Sequence, residues 1–205
     1  QIPASGRFGE APIMTVEEFA AIRPGLEGKI VATSGGFDPI HPGHATVLLA
    51  SKSHVEQEAG VRPDLLVVIV NGDGFLRNKK GAEFQDLSTR ARVVACLREV
   101  DVVVTYETDK EMTVEGALTG IRPHFFTKGG DRTGADNIAE WGLCQEIGCQ
   151  IVTGCGVVPI DRHVVDVSVG RAVFDDGGCS GGGAIYGEQV LGGGDGQGDR
   201  LGRLH

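Results

Sequence analysis

The chain of 205 residues has no basic surplus: 19 lysines and arginines stand against 28 aspartates and glutamates, a formal charge of −9. Nucleic-acid binding draws on phosphate neutralisation by clustered basic side chains, so this balance argues against such a partner. It leaves room for a small anion, which a local group of donors can hold against a negative background. Long apolar runs are also missing. Stretches such as residues 64–70 and 100–105 fall far below the ~20 residues that a membrane-spanning helix needs, so no membrane partner is expected. The five cysteines are odd in number and contain no C-x-x-C pair. That spacing fits neither a zinc cage nor a disulfide framework and suits scattered reduced thiols in a cytoplasmic protein. No secretory signal pattern is visible, in keeping with a cytoplasmic location.

What the chain does have is glycine, 33 in all and unevenly placed, with 12 among the last 30 residues. The few large apolar side chains there cannot offset a backbone entropy of ~1–2 kcal/mol per residue, so residues 157–205 are expected to be a disordered, divergent tail. The body differs. Apolar runs at residues 29–34, 64–71, 101–105, 124–127 and 150–153 read as buried strands. Helical patterns lie between them at residues 43–58, 86–98, 112–119 and 136–147, the last ended by Gly148. Five β-α units of this size predict one α/β domain over residues 28–156, a Rossmann-like, doubly wound, five-stranded parallel sheet. Residues 1–27 read as an N-terminal extension whose Thr15-x-x-Glu18 capping box opens a short helix to Ile22. Ligands of such sheets bind beyond the carboxyl ends of the strands.

The turn after the first expected strand concentrates the chemistry: Gly35-Gly36-Phe37-Asp38-Pro39-Ile40-His41-Pro42-Gly43-His44. Glycines permit a sharp turn and close backbone approach to a ligand. His41 and His44 bracket a helix start, where free N–H groups and the helix dipole favour an anion. Two isolated histidines are ordinarily packed, solvated or metal-bound, but their place in a glycine-rich strand-to-helix turn favours phosphate contacts.

This turn resembles the H-x-G-H signature of the cytidylyltransferase-like nucleotidyltransferases, in particular those of the ADP-heptose synthase and glycerol-3-phosphate cytidylyltransferase type. Three further segments agree in order and spacing: the second strand with Asn71-Gly72-Asp73 and a lysine-bearing loop, the stretch from Arg90 to Val100-Asp101, and Lys128-Gly129-Gly130-Asp131. The resemblance implies transfer of a nucleotidyl group from ATP or CTP to a small sugar- or polyol-phosphate, with release of pyrophosphate. It implies that His41 and His44 stabilise the transferring phosphates and that Lys52, one helix later, neutralises them. Gly35, Gly36, Phe37, Asp38 and Gly43, with Lys128, Gly129, Gly130 and Asp131, would hold the nucleotide. Asp73, Lys79 and Arg90 would face the acceptor, although Asp73 is also ordinary turn chemistry and Arg90 can equally pair with Asp86 or Glu83. Lys79 belongs to a basic stretch (Arg77, Lys79, Lys80) whose default reading is solvated charge. Trp141 and Cys144 read as packing. Mg²⁺ would accompany the triphosphate, and a homodimer is the family expectation.

The family's Ser/Thr-rich motif after the last strand is missing, for residues 154–163 contain no paired serines or threonines. Three explanations stay open: a diverged enzyme with other donors, a catalytically silent nucleotide-binding domain, or a reading frame shifted near Val157. An adenylyltransferase for a phosphorylated cofactor precursor is a further alternative, disfavoured by the K-G-G-D turn.

Overall fold

The computed structural model describes residues 1–6, 8–108, 112–129 and 136–156. The expected tail therefore lies outside the described residues. Six parallel strands form one sheet: β1 (Ile13–Thr15), β2 (Ile30–Gly35), β3 (Leu65–Asn71), β4 (Val102–Tyr106), β5 (Phe125–Gly129) and β6 (Gln150–Cys155). Their order is β1-β4-β3-β2-β5-β6. All five expected strands are present. The sixth, β1, lies in the segment read as an extension and pairs with β4 from Ile13↔Val103 to Thr15↔Thr105. Three residues are too few to show a strand pattern, so only the neighbour β4 makes them one.

Side-chain alternation along the strands sets the layers. Val67 and Ile69 of β3 join Phe19, Ile30, Val102, Val104, Leu118 and Phe126 in a core on one face. Leu66, Val68 and Val70 join Val31, Leu48, Val55, Val94 and Val103 on the other. Helices α1 (Val16–Ile22), α5 (Glu115–Ile121) and α6 (Trp141–Glu146) cover the first face; α2 (Pro42–Ala59) and α4 (Leu87–Ala95) cover the second. This is the doubly wound α/β arrangement. No helix among the described residues is long and apolar enough to cross a membrane.

The local signals act as expected at several ends. Thr15 Oγ1 accepts the Glu18 N–H, and the Glu18 carboxylate accepts the Thr15 N–H at 2.8 Å. Asp86 caps α4 by accepting the Thr89 N–H at 2.7 Å, and Gly148 takes a left-handed φ of 71° after α6. Other boundaries moved. Residues 73–80, read as a turn and a basic loop, form α3 (Asp73–Lys80), stopped by Gly81 at φ 87°. In α4 the inward row is Arg90, Ala91, Val94 and Ala95, while Val93 is 37% exposed. The helix expected over residues 112–119 occupies 115–121, and that expected over 136–147 is reduced to 141–146.

Phe19, on α1, is fully buried against the sheet. Phe19→Ala should lower the unfolding free energy by about 3–5 kcal/mol. Urea denaturation checks this: an unmoved midpoint would mean that residues 1–27 are only appended to the domain.

Candidate active site

Strand order reverses at β2. The chain runs outward through β3 and β4, then returns to the other side of β2 for β5 and β6. Connections leave a switch point in opposite directions and open a crevice there. At the carboxyl ends of β2, β3 and β5 lies a cleft of about 420 Å³, floored by the glycine turn. One wall is the end of β3 with α3 (Asn71, Phe75, Leu76, Lys79 and Lys80). The other is the end of β5 with the segments before α5 and α6 (Lys128, Gly129, Met112, Val114 and Glu140).

The turn is shaped by its own residues and by long-range partners. A Cβ on Gly36 would stand 2.8 Å from Leu76 and one on Gly35 2.9 Å from the Phe37 ring, so a side chain at either position would force Leu76 or Phe37 to move. Phe37 adopts φ 51°, a left-handed conformation costing roughly 1–2 kcal/mol for an L-residue, and its buried ring packs on His44 with centroids 5.0 Å apart. The Asp38 carboxylate accepts the N–H groups of Phe84 and Gln85, both at 2.8 Å. Asp38 thus lines the cleft while its oxygens anchor the turn to the α3–α4 connection.

His41 is the N-cap of α2, its Nδ1 accepting the His44 N–H at 3.4 Å. With Nδ1 acting as acceptor, the ring proton resides on Nε2, the atom able to donate to an oxyanion. The two imidazoles stack with centroids 3.7 Å apart and an interplanar angle of 26°. Two ring donors and the amino end of an 18-residue helix therefore converge on one side of the cleft, a geometry suited to phosphoryl oxygens.

Arg90 is fully buried and does not line the cleft. Its guanidinium donates to Gly36 O and Asn71 O at 2.7 Å each, to Gln85 O at 2.9 Å and to Asp73 Oδ1 at 2.6 Å. The expected acceptor contact is corrected to a brace joining the glycine turn, the end of β3 and the segment before α4. Its ionic partner is Asp73, neither Asp86 nor Glu83, and the Asp73 carboxylate is thereby turned away from the cleft. Because C=O and N–H are antiparallel in a trans peptide, holding Gly36 O directs the Phe37 N–H away from Arg90. Arg77, for its part, is engaged bidentately by Glu83.

Lys52 is a second correction. It lies eight residues beyond His44, about 12 Å along the helix at 1.5 Å per residue. There it pairs with Asp101 at 2.5 Å and donates to Asp64 O. Asp64 and Asp101 immediately precede β3 and β4, so Lys52 works at the amino end of the sheet, opposite the cleft. Gly43 sits in the first turn of α2 and does not line the cleft either. Gly35, Gly36, Phe37, Asp38, His41, His44, Lys79, Lys128 and Gly129 do come together around it. Gly130 and Asp131 lie outside the described residues. Trp141 is half-buried and Cys144 buried, as packing residues.

Two cleft residues to which the sequence assigned no role stand out. Glu140, buried at the start of α6, pairs with Lys128 at 3.2 Å and accepts the Val114 N–H at 3.4 Å. One carboxylate thus ties both segments of the β5 wall, and the Lys128 ammonium also lies 4.4 Å from the Phe126 ring centre. Burial pushes the Glu140 carboxyl up, but the Lys128 ammonium and the N–H donors outweigh it, leaving it below the ordinary 4.5. The other is Asn71, whose Oδ1 is buried with no hydrogen-bond partner among the described residues. Glu140 had no motif of its own, and Asn71 stood inside the Asn71-Gly72-Asp73 segment, where the resemblance gave the role to Asp73.

A family model described as cytidylyltransferase-like matches residues 32–148, more than half of the chain, and the chain belongs to that family. It is similar to the bifunctional protein HldE of Streptomyces coelicolor, 39% identical over 127 residues, or 61% of this chain and 25% of that protein. The bifunctional protein HldE of Acidiphilium cryptum is 36% identical over 148 residues, 68% of this chain and 28% of that one. The chain spans about a quarter of the length of these relatives. Among solved structures, a lipopolysaccharide core biosynthesis protein from Thermoplasma volcanium matches 62% of this chain and 96% of its own, at 25% identity and a TM-score of 0.49.

Removing Arg90 would leave Asp73 and three carbonyls without their shared donor. Arg90→Met should therefore destabilise by about 3–5 kcal/mol. Arg90→Lys should restore little of this, since an ammonium cannot span the fork. Urea midpoints of both variants check it. For Glu140, a folded pKa below the unfolded one means stability that is present above about pH 4.5 and lost as pH falls through the folded value. Glu140→Gln should be less stable at pH 7 and show a shallower acid limb, measured as urea midpoints between about pH 7 and pH 3.

Proposed function

We propose that the chain is a nucleotidyltransferase that moves a nucleotidyl group from ATP or CTP to a small sugar- or polyol-phosphate and releases pyrophosphate. The observation that carries this reading is the stacked His41–His44 pair at the start of α2, inside the switch-point cleft of a cytidylyltransferase-like domain. An acceptor phosphate is already ionised near neutral pH, so its oxygen attacks the α-phosphorus without a general base. The bond from the α-phosphorus to the bridging oxygen breaks, and pyrophosphate departs opposite the incoming oxygen. Negative charge grows on that bridge, where the imidazole N–H groups of His41 and His44 donate. Catalysis is then positioning and charge stabilisation.

The two walls divide the labour. Lys128, Gly129 and the backbone of the glycine turn face the nucleotide. Lys79, together with Lys80, faces the acceptor phosphate. Among the described residues no group of three or more His, Cys, Asp or Glu could hold a metal. The carboxylates of Asp38 and Glu140 are committed to N–H groups and to Lys128. This donor set fits Mg²⁺ only as a companion of the triphosphate, held by its oxygens and by water, where it supplies charge neutralisation. A catalytically silent nucleotide-binding domain is the second reading, favoured by the missing Ser/Thr motif after β6.

His41→Asn separates the ring from the cap, because asparagine still accepts the His44 N–H. Pyrophosphate release with a sugar- or polyol-phosphate should fall about 10²–10³-fold in His41→Asn and in His44→Ala. Folding midpoints should be nearly unchanged in His41→Asn. Calorimetric binding of Mg²⁺–ATP or Mg²⁺–CTP without any pyrophosphate release would favour the silent domain instead.

A further inference from the structure

Asn71 closes β3 within the cleft and is 6% exposed. Its main-chain oxygen is fixed by Arg90 at 2.7 Å, so the residue is not free to drift. Its side-chain Oδ1 has no hydrogen-bond partner among the described residues. Buried amide groups are nearly always paired, since they have given up water for whatever replaces it. An unpaired one in the lining of a cleft points to a ligand that completes it.

The chemistry of that ligand group is constrained by its surroundings. A phosphate or carboxylate oxygen only accepts and cannot pair with Oδ1 as it is placed; with the amide turned it could meet the NH2, but Lys79 and Lys80 on the same wall already provide for an anion. An ammonium would meet Lys79 and Lys80, cations on the same wall. A hydroxyl both donates and accepts, so it satisfies the amide whichever way its oxygen and nitrogen are turned. The same two lysines provide for a phosphate. Asp73, the neighbour that the resemblance set facing the acceptor, is already bound to Arg90.

We infer that Asn71 reads a hydroxyl of the phosphorylated acceptor and is a specificity-determining residue for polyol- and sugar-phosphates over plain alkyl phosphates. Assigning the α3 wall to the acceptor rests on the transferase reading above, but the preference for a hydroxyl can be measured by binding alone.

The test is calorimetric titration of the full chain with glycerol 3-phosphate and with propyl phosphate, which lacks the hydroxyls. The wild type should bind glycerol 3-phosphate about tenfold more tightly. Asn71→Leu should bind the two alike. Asn71→Asp keeps the accepting oxygen but adds a like charge, so both ligands should weaken while the ratio persists. Thermal melts establish that both variants are folded. Equal binding in the wild type, no binding of either ligand, or a preference that survives in Asn71→Leu would overturn the inference. A hydroxyl preference without pyrophosphate release on any acceptor would sink the transferase reading alone. Pyrophosphate release with indifference to the hydroxyl would sink the role of Asn71 alone.

Discussion

The buried guanidinium of Arg90 is the constraint on which the cleft depends. It carries a full charge into a fully excluded position, which is tolerable because its donors meet three carbonyls and a carboxylate at 2.6–2.9 Å. Those partners come from three places: the glycine turn after β2, the end of β3 with the start of α3, and the segment before α4. Asp38 reinforces the same junction from the turn side by holding Phe84 and Gln85. A charged fork of fixed geometry tolerates little displacement of its acceptors. The floor of the cleft is thereby set before any ligand arrives, and preorganised donors are what charge stabilisation in a water-poor site requires.

Around that floor the two walls are built differently. The β3 side takes its cations from the last turn of α3, which Gly81 ends, so Lys79 and Lys80 project from a helix rather than from a loop. On the β5 side a single ion pair, Lys128 with Glu140, is buried between chain segments. Desolvating both charges is unfavourable by itself, and the N–H of Val114 and the Phe126 ring share in offsetting it. The lysine on this wall is held close to neutralised, whereas those on the other wall are nearer to solvent. In the proposed reaction this asymmetry separates a nucleotide side from an acceptor side.

Much of this was legible in the chain itself. The β-branched runs of β3 and β4, the capping box at Thr15, the Asp86 cap and Gly148 all act through neighbours a few residues away, so their patterns survive without a structure. The turn from Gly35 to His44 was recognisable by its glycines and histidines, although its shape also depends on Leu76, Phe84 and Gln85. Less regular stretches were harder. Residues 73–80 carry polar and basic side chains that suit a loop as well as a helix, and burial of Phe75 and Leu76, the latter beside Gly36, decides for the helix.

The sequence by itself therefore determined the α/β class, five of the six strands and the histidine turn, since periodicity and backbone chemistry are local. Tertiary structure alone decided where the long side chains spend their charge. Lys52 and Asp101 are 49 positions apart, Arg90 and Gly36 54, and Glu140 and Val114 26, so no spacing rule links them. Lys52 sits on the helix that opens with the histidines, yet helix length carries it to the far end of the sheet. Arg90 begins at a helix start facing the cleft in sequence, yet the inward face of α4 draws it into the core. For flexible charged side chains the partner fixes the role, and the partner is known only once the strands have been ordered.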